Sequence, residues 1–261
     1  MTYSPYQDPR IKQALNVIFS TYGDVASAEA KKKNLIKFGR SRNAGTSATT
    51  VWNQGGNETY VETNIIDTIS SSSASDTVTV KIEGHTKSGS DYTFVVQTAT
   101  LSGQTKAVLT TPLARMSSIV NTGAANFVGD IYGYEDTGIS GGVPTDGTKI
   151  HSKVAAGEAN TTQKAATTIS SVDYALVTSF GAAMLEKTAA FADFQLQIRE
   201  GGGVFRTVAK LSASNSSGAS LVGFDPFLIV PPNSDIRILV VANGATTDVS
   251  ASFQSILASI V

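Results

Sequence analysis

The chain has no cysteine, which excludes disulfides, thiolate metal sites and a cysteine nucleophile, and leaves no redox mark of compartment. Histidine is almost as scarce, with only His85 and His151 to move protons near neutral pH. An excess of either charge is also missing. Twenty Lys and Arg face 21 Asp and Glu, for a formal net charge of −1, so no general electrostatic pull toward nucleic acid is expected. No run of about 18 apolar residues occurs, so no helix is expected to span a membrane. The start, MTYSPYQDPRIKQAL, has neither the basic nor the apolar part of a secretory leader. The expectation is a soluble protein made in a cytoplasm.

What is present is enough for a substantial core. At 261 residues, 41% hydrophobic and 16% charged, the composition is that of a folded chain, and the length suits two β domains better than one. The 23 glycines, with abundant Ser and Thr, fit many turns between short strands.

The first 39 residues read as helical. Asp8-Pro9 supplies a cap and a proline at the first helical position, and Ile11, Ala14, Leu15, Ile18 and Tyr22 recur at helical spacing up to Gly23. Asp24 can cap a second helix carrying Val25, Ala28, Leu35 and Ile36, ended by Gly39. Beyond Phe38 the period changes to two. In Thr77–Glu83 the apolar Val78, Val80 and Ile82 alternate with polar residues, and similar signals follow at 92–97, 107–111 and around Ile119. A second β tract covers 174–180, 194–199, 205–211, 227–230, 236–241 and 249–253. Between the tracts lies Gly-, Asp- and Pro-rich Glu135–Gly147, read as a loop or link, and Ala182–Ala192 admits a helical turn or two. The expected architecture is mainly β: a helical arm (1–39), then two antiparallel, jelly-roll-like sandwiches (40–150 and 151–261).

Most candidate chemistry fails on inspection. Neither histidine belongs to a metal-binding spacing, and a turn-lining or surface role is the plain reading of both. The run Ser70–Asp76 lacks the elbow that would expose a nucleophile, and Gly201-Gly202-Gly203 reads as a hairpin turn rather than a phosphate cradle. Asp130, Glu135, Asp136 and Asp146 lack the calcium-loop pattern. No catalytic, cofactor-binding or metal residue is assigned. The one basic concentration is Lys31, Lys32, Lys33, Lys37, Arg40 and Arg42. It either favours a helix C-terminus or docks on an acidic partner surface. The docking reading takes Ile11, Leu15, Ile18, Lys31, Lys32, Lys33, Arg40 and Arg42 as its residues. Trp52 and Tyr60 are read as anchors of the first sandwich core.

Several segments together resemble a family of tailed-bacteriophage virion structural proteins. They are FGRSRNAGTSATTVWNQGG at Phe38–Gly56, SSSSASDTVTVKIEGH at Ser70–His85, TATLSGQTKAV at Thr98–Val108 and LARMSSIVNTGAANFVGDIYGY at Leu113–Tyr134. A weaker likeness continues through His151–Ile169. Ser41 departs from the pattern, standing where asparagine is common. The resemblance implies a non-enzymatic virion component with a β-sandwich body, made in a host bacterium's cytoplasm. Its partners would be other virion proteins, either the major capsid protein or a neck or tail ring. Copies of the chain would associate symmetrically, with a trimer as one option. On this reading the Gly and Ser residues after Phe38 let an arm leave the body at an adjustable angle. Alternatives are a neck, tail or adsorption-fibre component, or a carbohydrate-binding module using Trp52, Tyr132 and Tyr134.

Overall fold

The computed structural model describes residues 32–186, 190–214, 219–244 and 246–259, all in β structure and its connections apart from one 3-10 turn at Gly147–Lys149. The helix expected to begin at Asp8, and with it Ile11, Leu15 and Ile18, lies outside these residues, as does Lys31 of the second expected helix.

The second expected helix is replaced in its described part by a strand. Residues Lys32–Ala44 form β1, paired antiparallel with the last strand, β18 (Thr247–Ser259), from Lys32↔Ala258 onward. Lysines suit a helix, but local propensity is worth only a few tenths of a kcal/mol per residue (about 0.7 at most), and a ladder along a ready-made sheet edge outweighs it. The arm-to-body break expected after residue 39 therefore falls inside one continuous strand.

Two sandwiches follow from the alternation. In the first, β3 (Ile66–Ser71), β6 (Ala107–Leu113), β8 (Ile131–Glu135) and β11 (Ile150–Val154) form a sheet in the order β11-β8-β3-β6. Against it lie β4 (Thr79–Ser88), β5 (Asp91–Thr100) and β7 (Arg115–Asn121), in the order β5-β4-β7. Ile66, Ile69, Val80, Ile82, Met116 and Ile119 fill the space between. The segment read as a link carries a small hairpin, β9 (Ile139–Ser140) with β10 (Val143–Pro144).

The second sandwich contains β12 (Ala166–Thr168), β13 (Asp173–Glu186), β14 (Phe191–Glu200), β15 (Arg206–Ser214), β16 (Ala219–Val230) and β17 (Ser234–Ala242). One sheet runs β1-β18-β13-β16, and the other runs β12-β17-β14-β15 with the short β2 (Thr49–Thr50) added on β17. Counting β1 as the first of eight strands, the orders are 1-8-3-6 and 2-7-4-5, which is a jelly roll. Phe180, Phe194, Phe253, Val177, Ile238 and Val240 form its core.

The sheets thus divide the chain differently from the linear split at 39/40 and 150. The first sandwich is inserted between strands one and two of the jelly roll, and Ile150–Val154 completes the first sandwich instead of opening the second. The helical turn entertained at Ala182–Ala192 is strand at 182–186 and 191–192, in β13 and β14, with a bend at Ala190. The triple glycine is the hairpin turn expected, with φ +53° at Gly201 and +74° at Gly202.

Candidate docking surface

Strand β1 occupies an edge of its sheet, and alternation splits its side chains into two rows. Leu35, Lys37, Gly39 and Ser41 face inward, whereas Ile36, Phe38 and Arg40 face out. Gly39 is where this strand meets the body most closely. A Cβ there would stand 2.1 Å from the Val51 carbonyl oxygen and 2.5 Å from the Ala165 nitrogen. Its missing side chain therefore seats β1 firmly, instead of loosening a joint as the sequence suggested.

The ladders extend the outward row across the sheet. Phe38 pairs with Ser252, Ser252 with Gly181 and Gly181 with Leu221. One row on, Arg40, Ser250, Ala183 and Ala219 align in the same way. Small residues make the floor of a groove of about 300 Å³, and Phe38 and Leu221 wall it. Ile36, Phe38 and Leu221 are 63%, 44% and 75% exposed, unusual for a row of large apolar side chains. Further along the same face Leu176, Ile256, Ala258, Phe227 and Ile229 pack together.

The other docking candidates separate here. Lys32 starts β1, and the Lys33 ammonium lies 6.0 Å from the Phe94 ring centre. Arg40 binds Glu158 at 2.9 Å and Asp248 through two bonds of 3.0 and 2.5 Å, and Arg42 also binds Glu158. The charges of Arg40 and Arg42 are therefore met within the chain. The apolar row beside them is not among the docking residues the sequence offers, because Ile36 and Phe38 fall there in an expected helix and at its end.

Where the sandwiches meet, charge is buried on purpose. Asp235 of β17, 1% exposed, accepts from Arg115 Nε at 3.1 Å, Arg199 Nε at 2.7 Å and the Thr168 hydroxyl at 2.5 Å. Arg115, which belongs to the first sandwich, also donates to the Tyr92 hydroxyl at 2.7 Å, Glu62 at 3.1 Å and the carbonyls of Val61 and Ala114. Its guanidinium lies 5.1 Å from Tyr60 and 4.9 Å from Tyr92, and Arg199 lies 4.4 Å from Tyr60. Burial pushes the Glu62 carboxyl up, but hydrogen bonds from Lys87, Tyr92 and Arg115 outweigh it and hold its pKa at about 2. A second buried cation, Lys164, binds Glu58 at 2.6 Å and the carbonyls of Met116 and His151 at 2.7 and 2.9 Å. Trp52 and Tyr60 sit at this junction, not in the first core: Lys164 is 5.8 Å from the Trp52 ring, and Tyr60 meets Phe205 at 5.2 Å.

Both histidines are buried, against the surface or turn role expected. His85 is 3% exposed, and burial, reinforced by the Lys37 charge, lowers its pKa to about 4. His151 is also lowered by burial, opposed by its 2.9 Å contact with Glu135. An unfolded histidine protonates near 6.5, so the stability present above pH 6.5 is expected to drain away as pH falls toward 4. His85 alone accounts for about 3 kcal/mol of this. Glu62 adds a separate loss between about 4.5 and 2. Urea unfolding at pH 7 and 4.5 measures the effect, and His85→Gln is expected to lower the pH slope by about one proton.

His85 also lines a cleft of about 280 Å³ between the sandwiches, with Lys37, Glu83, Phe94, Ser117 and Asp173. Burial and the Lys164 charge lower the Lys37 pKa to about 8. Among the described residues no group of three or more His, Asp or Glu could hold a metal ion. Asp130 pairs with Lys153 at 2.9 Å, Asp136 with Lys106 at 2.6 Å, and Asp146 accepts from Thr148. Asp76, from the serine run, binds the loop amides of Val128 and Gly129. Trp52, Tyr132 and Tyr134, named for a sugar-binding reading, are all buried, so they cannot form a stacking platform.

No protein-family model matches the chain, and no curated protein sequence matches it. Among solved structures it is similar to the VP2 subviral particle of infectious bursal disease virus, at 10% identity over 97% of this chain and 78% of that one, with a TM-score of 0.22. Structures of the Gt and Gx strains of the same virus give 10% and 9% identity. They cover 97% and 91% of this chain and 83% and 73% of theirs, with TM-scores of 0.21 and 0.23. Scores at this level fall short of a shared fold.

Proposed function

We propose that this chain is a non-enzymatic structural protein of a tailed-bacteriophage virion, which decorates or cements the capsid and attaches through residues upstream of β1. The observation that carries the reading is the seating of β1: an edge strand fixed to the jelly roll by Gly39, into which the first 31 residues lead directly. An attachment segment joined this way transmits load to the whole body. The buried Arg115–Asp235–Arg199 cluster ties the inserted sandwich to the same body, which suits a part that must hold its shape on a lattice. Jelly rolls occur in viral capsid and lectin domains alike, so the fold supports the reading by analogy only. The likeness of Phe38–Gly56 and the segments after it to virion proteins points the same way.

Removing residues 1–31 tests the attachment. The truncated chain is expected to keep a cooperative unfolding transition and to be lost from purified particles. Incorporation of the truncated chain at the wild-type level would overturn the proposal.

A further inference from the structure

The cleft between the sandwiches is lined by strands of both, and it holds a cation that the chain leaves unmatched. Lys37 of β1 is half-buried there, and its ammonium makes one hydrogen bond, to the Ser117 carbonyl at 3.3 Å. Among the described residues no carboxylate pairs with it: Glu83 and Glu58 attract it from a distance, and the Lys164 charge repels it. The two acids on the cleft wall are already engaged. Glu83 binds Lys81 at 2.8 Å and the Ser118 hydroxyl at 2.9 Å, and Asp173 accepts from the hydroxyls of Ser170 and Ser259. With Lys81 counted beside Glu83, the three ammoniums of Lys33, Lys37 and Lys81 face the two carboxylates of Glu83 and Asp173. One positive charge is left over.

The rest of the lining suits an organic body rather than a bare ion. Phe94, Ile169 and Leu257 supply apolar wall, and Phe94 is 44% exposed, open to a further contact. Its ring stands edge-on to that of His85, with centres 5.4 Å apart. His85 is buried, and its Nδ1 has no hydrogen-bond partner, an uncommon and costly state for a buried polar atom. A mostly apolar space with a few polar groups is the usual form of a small-molecule site, and about 280 Å³ lies at the lower end of the size range. A folded partner cannot enter it. The leftover charge also limits the ligand, because a dianion would bring a second, uncompensated negative charge into a partly enclosed space.

We infer that this cleft binds a small organic monocarboxylate, its carboxylate on the Lys37 ammonium and its apolar or aromatic body against Phe94, Ile169 and Leu257. The site goes beyond the attachment reading and does not rest on it. A ligand held there touches β1 and β18 of the jelly roll and β5 of the inserted sandwich, so its binding braces the junction between them.

Phenylacetate is the probe, titrated into the full, isotope-labelled chain at pH 7 and followed by the amide resonances. Shifts centred on Lys37, His85, Phe94 and Ile169 are expected, saturating in the millimolar range. Phenylacetamide, of the same shape without the charge, and acetate, with the charge but no ring, are each expected to bind about tenfold more weakly, the worth of one charge-assisted hydrogen bond or one buried ring. Lys37→Met should lose the same tenfold for phenylacetate and keep its fold, since it removes a cation that no carboxylate of the described residues pairs with. Phe94→Ala, at an exposed position, should weaken phenylacetate and leave acetate unchanged, and it decides the matter if Lys37→Met does not fold. Phenylacetamide binding as tightly as phenylacetate would overturn the inference, as would tighter binding of phenyl phosphate, or shifts that are absent or centred outside the cleft. None of these readouts involves virus particles, so the attachment reading stands or falls separately.

Discussion

Asp235→Ala is expected to cost about 3–5 kcal/mol, the largest loss from any single side chain at the junction, because it leaves two arginines facing a carboxylate that is gone. Arg115 is 4% exposed and reaches Asp235 from the first sandwich, while Arg199 reaches it from the jelly roll. Glu62 remains to balance part of the charge, but it is half in solvent and already binds Lys87. The variant is also expected to uncouple the sandwiches. Urea unfolding followed by fluorescence should show one transition in the parent and two in Asp235→Ala. Adding Arg115→Met should restore part of the stability, since a buried ion pair replaced whole by apolar side chains costs far less than one broken in half. If Asp235→Ala unfolds at the parent's midpoint, the cluster is not what joins the sandwiches.

Gly39→Ala is expected to release β1 from the body. The added carbon would sit 2.1 Å from the Val51 carbonyl oxygen and 2.5 Å from the Ala165 amide nitrogen. Neither atom is free to retreat, because Ala165 N donates to Val51 O at 3.0 Å and Val51 N donates to Ile238 O at 3.0 Å. The strand must move instead, at a cost of about 3 kcal/mol or more. Hydrogen exchange should rise throughout Leu35–Ser41 and in the facing residues of β18, while the first sandwich keeps its protection. Because the attachment segment rides on β1, incorporation into particles should fall as well. Gly223 lies on the same sheet, and a Cβ there meets nothing within 4 Å, so Gly223→Ala serves as the control. Equal exchange in the two variants would show that β1 is not seated through Gly39.

The strands were the legible part of this protein. Val78, Val80 and Ile82, or Phe194, Leu196 and Ile198, alternate so plainly that a helix cannot use them, and β4 and β14 formed where the pattern lay. Strand β1 was not legible, because Lys31–Lys33 and Leu35-Ile36 suit a helix locally and only the distant β18 decides otherwise. The jelly roll was hidden for a related reason. Its first strand is separated from its second by an entire inserted sandwich, so neighbours in the sheet are strangers in the sequence. The buried cluster was harder still. Glu62, Tyr92, Arg115, Arg199 and Asp235 come from five separate stretches, and none carries a local signal of burial. Charged residues are usually solvated, and an arginine in a strand reads as an outward side chain until its partners are seen. The groove's walls are hidden in the same way: Leu221 lies outside every strand the sequence predicts, and Phe38 stands just before the Gly39 that ends the expected helix.

The most direct test of the central claim is the number of copies of this chain in each purified virus particle, by quantitative mass spectrometry normalised to the major capsid protein. Decoration of the capsid predicts copies in the hundreds, matching the symmetry of the lattice, whereas about a dozen or fewer would place the chain at the neck or tail. Particles that contain none of it would contradict the structural role altogether.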